Sequence, residues 1–212
     1  MSGISINPIL TTNAAALFNV NSNGFVQGDA QDDPAVKFAL CQGVYDPTAT
    51  APILGGNPIL ETIPSLAALA LNMANVGATI VNALATGTYA HRINGFTVFN
   101  QAFAGITTPQ SNCPSYQPGQ SVNYYRGGSG ARIPVRASAG LLATIVGGQP
   151  VNDLPCSWNF AEGYLDVYDG TNQFAFKVLR FSPAGNNLTA TYNSGSNTAN
   201  WITTENVALI QL

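Results

Sequence analysis

From Gly95 to Leu212, short runs of apolar and aromatic residues are cut by turns rich in Gly, Asn and Ser, at roughly ten-residue spacing. Runs this short, with a period near two, cannot build a helical core. Residues 95–103, 121–126, 132–136, 141–146, 164–168, 174–181, 188–192, 199–203 and 207–212 read as strands. Asp169-Gly170 between aromatic runs predicts a hairpin that joins 164–168 to 174–181. Asn193-Ser194-Gly195-Ser196 predicts a second hairpin. The nearly continuous apolar set Phe174, Phe176, Val178 and Leu179 predicts a strand inside a sheet. Many short strands of this kind give a mainly β body over 95–212, a β-sandwich, jelly-roll-like fold or small barrel.

The rest of the chain reads differently. Residues 1–28 hold no charged side chain and read as an extended N-terminal arm, which runs to about residue 35. Asp29, Asp32 and Asp33 come just before Pro34 and predict a capped short helix over 34–40. Residues 36–94 form a loop-rich segment, with Pro47, Pro52, Gly55, Gly56 and Pro58. Within it Leu66, Leu69, Met73, Val76, Ile80 and Leu84 recur at intervals of three and four, which predicts one amphipathic helix over about 63–85. Asn72, Asn75, Thr79 and Asn82 line another face. That asparagine stripe, Gly77 and the lack of basic flanks argue against a membrane span.

Charge narrows the function. Asp, Glu, Lys and Arg make up 8% of the chain, against roughly 25% in an average globular domain. Such a surface suits a protein that partners cover, or one that works outside the cell. Net charge is −3, and Lys37, Arg92, Arg126, Arg132, Arg136, Lys177 and Arg180 are scattered. Nucleic-acid binding needs clustered cations, so no nucleic-acid partner is expected. Cys41, Cys113 and Cys156 match no zinc pattern. The start, Met1-Ser2-Gly3-Ile4, lacks a basic region and a long apolar run, so synthesis in a cytoplasm is expected.

Catalysis needs titratable groups, and these are few. His91 is the single histidine, beside Arg92, and reads as a helix-end or surface residue. Asp29, Asp32 and Asp33 do not have the spacing of a calcium loop. Glu162 and Asp166 share a strand face by period two, as a glycoside hydrolase would need. Charges that protect an edge strand explain them more simply. Gly127-Gly128-Ser129-Gly130 lacks the Lys-Ser/Thr of a phosphate loop and reads as a turn. Tyr116, Tyr124, Tyr125, Trp158 and Trp201 would serve a stacking platform for sugars, but they read more naturally as core or subunit contact. No catalytic, cofactor-binding or metal residue is assigned, and a non-enzymatic protein is expected.

Five segments stand out: Thr11-Thr12-Asn13-Ala14-Ala15, the stretch from Val26-Gln27-Gly28-Asp29 to Pro34-Ala35, Asn94-Gly95-Phe96-Thr97-Val98-Phe99-Asn100-Gln101, Gly128-Ser129-Gly130-Ala131-Arg132-Ile133 and Tyr192-Asn193-Ser194-Gly195. They resemble virion structural proteins of tailed phages, of the capsid decoration or cement kind. The resemblance implies a jelly-roll-like or sandwich body that forms homo-oligomers in the virion. Its partner would be the major capsid protein on the capsid exterior, and its role to stabilise the head. A tail or head–tail connector component and a glycan-binding module of a virion or cell surface are the alternatives.

Overall fold

A computed structural model of the chain describes residues 24–30, 36–62, 79–83, 93–99, 113–144, 154–185 and 187–212. These residues are mainly β. The first five strands are β1 (Leu40–Tyr45), β2 (Pro58–Thr62), β3 (Ile80–Ala83), β4 (Gly95–Val98) and β5 (Ser121–Arg126). They close into a barrel of order β1-β3-β2-β4-β5, with β5 returning to β1. The β1–β3 pair is parallel and the other pairs are antiparallel. Closure satisfies both edges of every strand, which an open sheet cannot do. Tyr45, Ile59, Val81, Val122 and Tyr124 fill the interior, with Ile53 and Tyr116 packed among them.

The next strands are β6 (Arg132–Ala137), β7 (Cys156–Asn159), β8 (Tyr164–Val167), β9 (Lys177–Ser182), β10 (Thr189–Asn193), β11 (Thr198–Ile202) and β12 (Asn206–Gln211). A short helix α1 (Ala139–Thr144) follows β6. A second sheet has the order β7-β8-β6-β12-β9, and β10 and β11 form a separate hairpin. The outer face of the barrel packs on the second sheet. Phe96, Val98 and Tyr125 meet Ile133, Val135, Trp158, Leu165, Ala208 and Ile210 in one apolar cluster. All four residues of β4 are buried, because one face looks into the barrel and the other into this cluster.

Residues 25–28 stitch the three sheets together. Val26 makes a parallel bridge to Leu188. Gln27 is buried, its Nε2 donates to the Gly55 carbonyl at 2.8 Å, and its Oε1 accepts from the Ala190 amide at 2.9 Å. The Gly28 amide donates to the Pro134 carbonyl at 2.9 Å, and the Gly28 carbonyl accepts from Phe99 at 2.9 Å. This also explains a proline inside β6. The Pro134 carbonyl points away from β12 toward Gly28, so its nitrogen faces the side where no strand needs an N–H.

The structure agrees with the sequence reading in fold class, in the β10–β11 hairpin and in the closing strand β12. It corrects five readings. The helix expected over 63–85 does not hold at its far end, where Ile80–Ala83 is strand β3, paired with β1 and with β2. Residues 63–78 and 84–85 lie outside the described residues, as do 1–23 and 31–35 of the expected arm. The short helix expected over 34–40 is a 3-10 turn at Lys37–Ala39, and Leu40 already belongs to β1. The strand expected over 141–146 is helix α1, with residues 145–146 outside the described set. Segments 164–168 and 174–181 do not pair with each other. Strand β8 pairs with β7 and β6, while β9 pairs with β12. Finally, β9 is an edge strand, not an interior one. A shift in its pairing at Leu209/Ile210 and the exposed Lys177 and Arg180 blunt that edge. The boundary expected between residues 94 and 95 passes through the barrel, since β1–β3 lie on one side of it and β4–β5 on the other.

Candidate functional site

The residues singled out from the sequence are mostly structural in their surroundings. Tyr116, Tyr124, Tyr125, Trp158 and Trp201 are all buried. Trp158 stacks on Phe174 and meets Phe96 edge-on, while Trp201 meets Phe99. These rings bury area between sheets and offer no open face. His91, Asp32 and Asp33 lie outside the described residues.

The carboxylates of the β7–β8 region have definite tasks. Ser138 caps α1, its Oγ accepting from the Leu141 amide at 3.0 Å. The same hydroxyl donates to Asp166 Oδ1 at 2.6 Å, so β8 fixes the start of the helix. Asp169 Oδ1 accepts from the amides of Asn172 and Thr171, each at 2.8 Å. Those two N–H groups hold its carboxyl well below the usual carboxylate range. Glu162 lies on the exposed β7–β8 turn, where its main-chain carbonyl accepts from Arg136. Arg136 also pairs with Glu205 at 3.1 Å. Among the described residues no group of three or more His, Cys, Asp or Glu could hold a metal ion, and no helix is long and apolar enough to cross a membrane.

Two surface features stand out. The first is the end of the barrel where β1 begins and β5 finishes. The register sets Leu40 beside Tyr125 and Gly95 beside Arg126. There Phe38 is 94% exposed and Leu40 is 37% exposed. Beside them the Arg126 Nε donates to Glu61 at 2.7 Å. The Tyr124 hydroxyl is buried beneath this pair, and burial raises its pKa first, with Glu61 adding to the effect. The second feature is a cleft of about 310 Å³ on the outward face of the β7–β8 hairpin. Ser157, Asn159, Phe160, Asp166, Asp169 and Asn172 are among the residues that line it. Sequence reasoning singled out Asp166 and the turn at Asp169 but identified neither feature, because each is assembled from residues whose neighbours are fixed by pairing.

The cysteines are free thiols. Cys113 and Cys156 are buried, and burial pushes both up, Cys156 to about 11. Cys41 is half-buried. A thiol-reactive dye is expected to label the native protein at Cys41 alone, with the other two reacting only after unfolding. Peptide mapping that found Cys113 labelled at the native rate would contradict the core placement. Asn187, which opens the glycosylation motif Asn187-Leu188-Thr189, is also inside. Its Oδ1 accepts from Phe25, and its Nδ2 donates to the carbonyls of Ser182 and Pro183. The folded chain cannot present it to a glycosylating enzyme.

The chain matches no protein-family model, no curated protein and no solved structure.

Proposed function

We propose that the protein is a non-enzymatic structural component of a tailed-phage virion, a decoration protein that binds the capsid exterior and stabilises the head. The observation that carries this reading is the charge-poor surface, with seven basic and ten acidic residues in 212. An isolated surface of amides, hydroxyls and glycines is poorly protected against association. A surface covered by capsid protein and by further copies of the same chain needs no such protection. The exposed Phe38 and Leu40 support the reading, since covering one large apolar side chain is worth about 1.5–3 kcal/mol. Binding of this kind stabilises the shell by mass action on the assembled state.

The test is quantitative mass spectrometry of purified particles. The expected result is a copy number equal to that of the major capsid protein, or a simple fraction of it. A handful of copies per particle would instead indicate a connector or tail component. Absence from particles would sink the virion reading altogether.

A further inference from the structure

We infer that the cleft on the β7–β8 hairpin binds a neutral saccharide. This does not rest on the virion reading. A cleft of about 310 Å³ lies at the small end of ligand sites, which run from roughly 300 to 1,000 Å³. It has room for one or two sugar rings.

The lining selects the chemistry. It contains Asp166 and Asp169 and no Lys or Arg, so phosphates, sulfates and carboxylates are disfavoured. A divalent cation would need several free oxygens. Asp169 spends both of its oxygens on Thr171 and Asn172. Asp166 Oδ1 is taken by Ser138 and by the Val167 amide. One carboxylate oxygen remains, which is too few. A lipid chain would strand the polar lining, Ser157, Asn159 and Asp166.

What remains is a mixed set of donors and acceptors. Asn159 uses its Oδ1 to accept from the amides of Ala161 and Glu162, both at 3.1 Å, and this leaves Nδ2 as a donor. Asp166 Oδ2 is an acceptor. The Ser157 Oγ accepts from the Asp169 amide at 3.0 Å, so its hydrogen can donate. Sugar hydroxyls donate and accept together and fit such a lining. Phe160, which also packs against the inter-sheet cluster, and the exposed Val167 are lining residues that add apolar surface for the C–H side of a pyranose.

The experiment uses the full chain and saturation-transfer NMR. Probes are glucose, galactose, mannose, N-acetylglucosamine and their disaccharides, with glucuronic acid and glucose 6-phosphate as anionic contrasts. Transfer to at least one neutral sugar and not to the anions is expected. Asn159→Asp keeps the Oδ1 that accepts from Ala161 and Glu162 but loses the donor, so it should weaken binding about tenfold. Asp166→Asn, which keeps Oδ1, should weaken it similarly and serves if the first variant melts early. No transfer to any neutral sugar overturns the inference. So does equal binding by both variants, or binding of the anions as tightly. Asn159→Asp should still load onto particles at the wild-type ratio, so failure of this site and failure of the virion reading are separable.

Discussion

Replacing Gly28 with alanine should destabilise the protein by about 4 kcal/mol, among the largest effects of any single substitution here. Gly28 has φ +74°, a conformation in which a side chain is strained by roughly 1–3 kcal/mol. An alanine Cβ would also stand 2.5 Å from the Gly55 carbonyl carbon and 2.6 Å from its Cα. Those are main-chain atoms and cannot rotate away, so overpacking adds about 1–3 kcal/mol. For a domain of this size that is a fall in Tm of roughly 10 °C. The matched control is Gly128→Ala. Gly128 has φ +84° but nothing within 4 Å of the added Cβ, so backbone strain acts alone and about 1 kcal/mol is expected. If chemical denaturation gave the two variants the same loss, close approach at the seam would not be the cause.

Phe96→Ala should cost about 3–5 kcal/mol. The ring is fully buried and lies edge-on to Trp158, Phe174 and Phe176, with centroids 5.3, 6.1 and 5.9 Å away. It joins the barrel's outer face to Trp158 of the second sheet. Its removal should also reduce the near-ultraviolet dichroism of Trp158. Phe38→Ala is the contrast. That side chain is 94% exposed, so the change should stay within about 0.5 kcal/mol. A large loss for Phe38→Ala in the isolated protein would mean that the ring is covered by the chain itself and not held ready for a partner.

How much of this was legible in the sequence depends on the range of the interaction. The β10–β11 hairpin could be read because its signal, Asn193 to Ser196, is local and its strands pair directly across it. Asp169-Gly170 carries an equally good turn signal, and the turn does form around Asp169. The flanking segments nevertheless separate. The Phe174 amide bonds back to Cys156, while β12, remote in sequence, captures β9. No local pattern reports such a competition. Ile80–Ala83 failed for a related reason. A spacing of three or four fits a helix, but barrel closure gave these residues strand partners on both sides. The cap Ser138 before Ala139–Thr144 was a legible helix signal that the apolar run from Leu141 obscured. Of the candidate sites, the carboxylates Asp166 and Asp169 could be found in the sequence, yet neither the cleft they help to line nor the rim at Phe38 could be, because both require the folded register.

The position of β12 bears on the timing of folding during synthesis. The barrel strands all lie within residues 40–126, so they can pair while the rest of the chain is still being made. The second sheet cannot be completed in that way. Strand β12, at residues 206–211, sits between β6 and β9 and supplies the main partner of each. Until those residues leave the ribosome, β6 and β9 wait with open edges and the cluster against the barrel lacks Ala208 and Ile210. A nascent chain is therefore expected to carry a finished barrel beside an unfinished sheet. Any surface that depends on the sheet becomes available only once β12 has emerged, which would delay association with other copies until then.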